Sequence, residues 1–207
     1  MGKLRQAAIW MTLAALAGCA SVQPISDADR KKVSSVTINP NVSKPQEMSY
    51  LGPGGTAGLM FGIIGAVIAA PALEASRKSF HDYVIKNGIS IERIVLEEVE
   101  AAMRRSGKFP LAAAPEAGGA VMHVSILQYG FSVPHGFSGK LVPTLFIRCE
   151  LKDATGKVLW NASERVLPLG NPVEAAEPEA IRNDPKAMEA SWRGAARHIA
   201  AEIVKSY

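Results

Sequence analysis

The chain has 207 residues, room for one domain with an appendage, and carries 23 basic against 19 acidic residues, a formal charge of +4. Lys3 and Arg5 belong to a segment expected to be removed, after which 21 basic residues face 19 acidic ones and the net charge is +2. That balance, with no basic run interleaved with aromatics, gives no basis for nucleic-acid binding.

Lys3 and Arg5 form a charged head, residues 7–16 a short apolar core, and Leu16-Ala17-Gly18-Cys19 closes the segment. Small residues ahead of a cleavage point are the general secretory signature. Leu-Ala-Gly-Cys in addition resembles the lipobox of bacterial lipoprotein precursors. The resemblance implies a signal peptide over 1–18 and acylation of Cys19 as the first residue of the mature chain. Several acyl chains, at about 0.8 kcal/mol per buried methylene, hold a protein on a membrane almost permanently. Ala20, where aspartate would stand for inner-membrane retention, implies by the same resemblance an outer-membrane protein facing the periplasm. With Cys19 acylated, Cys149 has no intramolecular disulfide partner. Alternation over 145–152 places Cys149 with Leu145, Ile147 and Leu151 on a buried face, as a structural cysteine.

Residues 19–32 are polar and contain Pro24; they are expected to form a lipidated tether, with a single α/β domain over 33–207. The β-branched run 33–38 predicts a first strand, stopped by Asn39-Pro40, and 41–55, with Pro45 and Pro53, predicts a loop. The segment 54–73 then carries no charge until Glu74. Gly54, Gly58 and Gly62 recur every four residues, and on a helical wheel Gly58, Gly62, Gly65, Ala66 and Ala69 fall together while Leu59, Met60, Ile63, Ile64, Val67 and Ile68 cover the rest. Each interior glycine costs about 0.8–1 kcal/mol relative to alanine. A run of them is tolerated for close backbone approach, as in small-xxx-small packing of membrane helices. The span 56–73 would reach roughly 27 Å as a helix, against about 30 Å for a bilayer core. Membrane embedding or self-association is the preferred reading, and an apolar helix packed on its own domain the alternative.

Residues 80–108 predict a helix interrupted near Asn87-Gly88. Its second part is capped by Ser90, buries Ile91, Ile94, Val95, Val99, Ala102 and Met103, and stops at Gly107 and Pro110. Glu97, Glu98 and Glu100 are expected on a solvated face. Three strands follow over 120–129, 141–152 and 156–166, with a tight turn at 153–156 and a long glycine-rich connection over 130–140. Residues 167–183 are expected to wander. Asp184 caps a final helix with Pro185 in its first turn, and Met188, Trp192, Ala195, Ala196, Ile199 and Ile203 mark the buried stripe.

The expected fold is therefore an α/β (α+β) two-layer sandwich: a small antiparallel-rich sheet with two helices, and the apolar glycine-rich helix inserted after the first strand. This order of elements resembles the compact domain of envelope lipoproteins of the LpoB, CsgG and TolB N-terminal type. The phrases Ser106–Pro110 and Gln128-Tyr129-Gly130-Phe131 resemble uncharacterised lipoproteins with a glycine-rich apolar insert, which implies an envelope location.

No spacing among His81, His123, His135 and His198 suits a metal, and no GxSxG, Walker or dinucleotide motif is present. Gly52-Pro53-Gly54-Gly55 lacks the lysine and the preceding strand of a phosphate loop. No catalytic, cofactor or metal residue is assigned. The leading expectation is a lipid-anchored envelope protein with a structural or partner-binding role. The alternative is a subunit of an oligomeric export pore, and a third reading is a periplasmic enzyme with His135 in its loop site.

Overall fold

A computed structural model describes residues 22–52, 62–114, 116, 118–136 and 138–207, and for 62–70 the backbone course alone. In chain order the described elements are β1 (Val22–Gln23), α1 (Asp27–Arg30), β2 (Val36–Ile38), β3 (Ser49–Leu51), α2 (Gly62–Lys86), α3 (Ile91–Ser106), β4 (Ala120–Ser132), β5 (Val142–Lys152), β6 (Val158–Val166), α4 (Pro178–Asn183) and α5 (Pro185–Lys205). They form a mixed α+β fold in which six strands make one sheet ordered β1-β6-β5-β4-β2, with β3 also on β4.

The long strand β4 organises that sheet. On one side it pairs antiparallel with β5 over almost its whole length. On the other it takes two short parallel strands end to end, β2 against Ala120–Met122 and β3 against Gly130–Ser132. Alternation directs Met122, Val124 and Ile126 into the core. A bulge between Ile126 and Gln128 then shifts the phase by one residue, so Tyr129 and Phe131 face the same core.

All the packed helical surface lies on this face. Ser90 caps α3 by accepting from the Arg93 amide, and Gly107 ends it at φ 63° in the left-handed region. Asp184 caps α5, with Pro185 in its first turn. The two helices pack together and α5 covers β5 and β6. Trp192 of α5 is fully buried, stacks on Phe131 at 5.0 Å between centroids, and donates from Nε1 to the Gly130 carbonyl at 3.1 Å. Phe80 near the end of α2 completes the aromatic run against Tyr50 and Phe131. Cys149 is buried in this core, as its alternation predicts, and the loss of water pushes its thiol up to about 12.

Four expectations need correction. Residues 22–32 are not a free tether: β1 pairs with Asn161 and Ala162 of β6, and α1 is held where Arg30 donates to the Tyr207 carbonyl at 3.0 Å and stacks over its ring. The loop expected over 41–55 contains β3, so a strand does precede Gly52. Three residues of β-structure are stabilised by their partner rather than by their own pattern, which is why both short strands escape sequence reading. Residues 167–183 include α4, started by Pro178. The apolar helix expected to end at 73 and the first part of the helix expected from 80 are one, for α2 runs through Pro71 to Lys86. Proline within a helix costs about 3 kcal/mol through a lost hydrogen bond. The following residues, among them Ala72, Leu73, Glu74 and Ala75, are good helix formers that carry the helix on.

The junction of β3 and β4 has the tightest tolerance. Gly130 holds φ 152°, and a Cβ added there would overlap the Ser49 carbonyl oxygen. Gly130→Ala is expected to displace β3 and to lower stability by about 3 kcal/mol, read from the urea midpoint. Cys149 gives a simpler check. It should resist a thiol reagent such as dithionitrobenzoate at pH 8 in the folded protein and react fully in denaturant.

Candidate interaction surface

The face of the sheet away from the helices is a largely polar surface, and no described helix covers it. Alternation puts His123, Ser125 and Gln128 of β4 there beside Phe146, Arg148, Glu150 and Lys152 of β5, and Asn161 and Arg165 of β6. Most of these side chains are half-buried against one another, and Gln128 and Arg165 are exposed.

Local bonds order the face. Asn39 Nδ2 lies 3.2 Å from His123 Nδ1, and Ser43 donates to Ser125 at 2.9 Å. Lys152 pairs with Glu150 at 3.1 Å, and Asn161 donates to Gln23 at 3.0 Å. At the end where β3 joins, Gln128 Nε2 donates to Ser49 Oγ at 3.2 Å, Ser49 donates to the Tyr129 carbonyl, and Thr144 lies 3.3 Å from Ser49. Arg165 stands over the Phe146 ring at 5.9 Å. Ser49, Gln128, Thr144, Phe146 and Arg165 line a cleft of about 240 Å³ that continues to Leu51, Leu167 and Pro168. Hydroxyls, an amide and a guanidinium beside an aromatic ring suit hydrogen-bonded recognition of a polar partner. No nucleophile with an adjacent base stands among them.

The residues singled out from sequence fall elsewhere. Cys19, Gly54 and Gly58 lie outside the described residues. Gly62, Gly65, Ala66 and Ala69 fall on the first turns of α2. Among the described residues no helix is long and apolar enough to cross a membrane, and no group of His, Cys, Asp and Glu is placed to hold a metal. His135 is exposed on its loop and is not among the residues lining the cleft. Sequence reading missed the cleft, because Gln128 reaches it only through the bulge and Ser49 only through β3. The alternation of Arg148, Glu150 and Lys152 was the signal available.

One expected solvated residue is buried. Glu98 of α3 turns into the helix interface, where Arg197 donates from Nε at 3.1 Å and from Nη2 at 3.2 Å, and Arg193 donates at 3.2 Å. The two arginines come from α5, about a hundred residues along the chain, so the helix pattern of α3 alone did not place the group inward. Burial by itself would raise the Glu98 carboxyl, but hydrogen bonds and charge from Arg197 and Arg193 outweigh it and hold the group below its ordinary value. A lowered carboxyl contributes stability that is complete above the ordinary value of 4.5 and disappears as pH falls through the folded-state value. Glu98→Gln is expected to cost about 2 kcal/mol at pH 7, since both arginines keep contact with water, and to flatten the stability profile below pH 4.5 in thermal melts across pH.

No family model matches the chain, and no match is found among curated proteins. Among solved structures, the chain is similar to a PelC dodecamer from Paraburkholderia phytofirmans in space group P6, with TM-score 0.40 and 12% identity over 90% of this chain and 94% of that one. A point variant of that dodecamer in space group C2 is similar at TM-score 0.40 and 11% identity, over 91% of this chain and 98% of the other.

Proposed function

We propose that the protein is a lipid-anchored component of the bacterial envelope that acts by binding other envelope components through the open face of its sheet. The observation that carries this reading is the one-sided sheet. Its helix-packed face is largely apolar, whereas the other face is largely polar, internally ordered and, among the described residues, lacks a helical cover, an arrangement suited to a partner rather than to a core. The anchor is supported by Leu16-Ala17-Gly18-Cys19 behind a charged and then apolar leader, and with Ala20 at the next position the outer membrane is its proposed destination. No catalytic role enters the proposal.

Self-association through α2 forms its second part. Gly62, Gly65, Ala66 and Ala69 lie on one helix, and beyond them Pro71, Ala72, Glu74 and Ala75 are exposed, so this stretch of α2 is not enclosed by its own domain. The same surface suits either a neighbouring copy or the apolar edge of a bilayer.

Two substitutions separate anchor from surface. Cys19→Ser is expected to move the protein from the membrane to the soluble fraction while leaving its melting temperature unchanged. Arg148→Glu, on the exposed sheet, should keep the protein on the membrane and reduce crosslinked partners in intact cells about tenfold, the loss typical of one interface hot spot. An unchanged crosslinking pattern would remove the sheet face from the proposal.

A further inference from the structure

The direction of β1 fixes which end of the domain meets the bilayer. Val22 pairs with Ala162 and Gln23 with Asn161, so β1 runs antiparallel to β6, and the chain preceding it enters from the side of Val166. Cys19 stands three residues before Val22, a reach of about 11 Å at full extension. Val166 lies four residues beyond Ala162, about 13 Å along the strand. The start of β1 thus faces the end of the sheet bearing Val166, while the turn at Asp153–Lys157 sits at the far end.

That same end carries two conspicuously exposed apolar side chains, Leu167 at 52% and Leu169 at 80%. They are held outward by a built loop. Asn171 Nδ2 donates to the Pro143 carbonyl at 2.8 Å and to the Leu167 carbonyl at 3.1 Å, Gly170 turns the chain at φ 71°, and Leu141 bridges Ala176 behind it. Exposed Lys140 belongs to the neighbouring loop at this end. A pair of exposed leucines with a cation at the same end of the sheet matches the interface of a bilayer, where apolar side chains enter and basic ones meet anionic headgroups.

We infer that the 167–169 loop is a membrane-docking surface: it lies against the lipid leaflet that holds Cys19, and so orients the domain end-on. This rests on the anchoring proposed above. End-on docking keeps the open sheet face perpendicular to the membrane and accessible to partners.

The test uses the acylated full-length chain in vesicles of phosphatidylethanolamine and phosphatidylglycerol containing brominated lipid. Leu169→Cys and, at the opposite end, Thr155→Cys are each labelled with a nitrobenzoxadiazole maleimide; Cys149 is buried and Cys19 is occupied by acylation. Both sites are exposed, so folding is preserved. The label at 169 is expected to lose roughly half its fluorescence, as for a group a few ångströms into the headgroup boundary, and the label at 155 to stay unquenched. Quenching at 155, or at neither position, overturns the inference. A blue-shifted but unquenched label at 169, on a particle larger than one chain by light scattering, assigns the leucines to a second copy and also overturns it. Absence of acyl mass on Cys19 overturns the anchoring proposal and this inference together, whereas acylated protein with an unquenched 169 label overturns this inference alone.

Discussion

Strand β4 has to satisfy three neighbours at once, and the rest of the fold depends on how it does so. Its outer edge is shared by two strands that come from different stretches of chain, and its inner edge by β5. A strand of 13 residues in strict alternation would twist and carry its later apolar residues to the wrong face. The bulge after Ile126 resets the phase, and Gly130 lets the backbone of β3 approach where no side chain fits. Trp192 then covers both corrections, with its ring on Phe131 and its N–H on the Gly130 carbonyl. The packing of α5, and through it of α3, is thus keyed to one irregularity in one strand.

A sheet packed on one side leaves its other side to solvent or to a partner. Here that side is neither apolar nor randomly polar. Hydrogen bonds and ion pairs run across it from Asn39 to Gln23, and they fix the side chains in place. A surface ordered before binding loses less conformational entropy when a partner arrives. Individually the exposed pairs contribute little to stability.

The edge strand β1 protects the sheet. An unpaired edge is an invitation to aggregate, and β1 with α1 closes one edge of the sheet. Lys157 on Asp29 and Arg30 on Tyr207 fasten this cover at the end of the sheet remote from the 167–169 loop.

By itself the sequence determined the elements whose signals are local. Ser90, Gly107 and the pair Asp184-Pro185 mark helix ends because capping is decided within one turn of chain, and the alternation of Met122, Val124 and Ile126 or of Arg148, Glu150 and Lys152 marks strands because it is a property of consecutive residues. The leader proposed over 1–18 likewise rests on adjacent residues alone. Tertiary structure alone decided the rest. It recruited 22–23 and 49–51 as strands because their partners supply the hydrogen bonds, and drew Glu98 inward because Arg193 and Arg197 wait on a helix far along the chain. The cleft belongs to this second class, since Ser49, Gln128, Thr144 and Arg165 come from segments that only the folded sheet brings to one end.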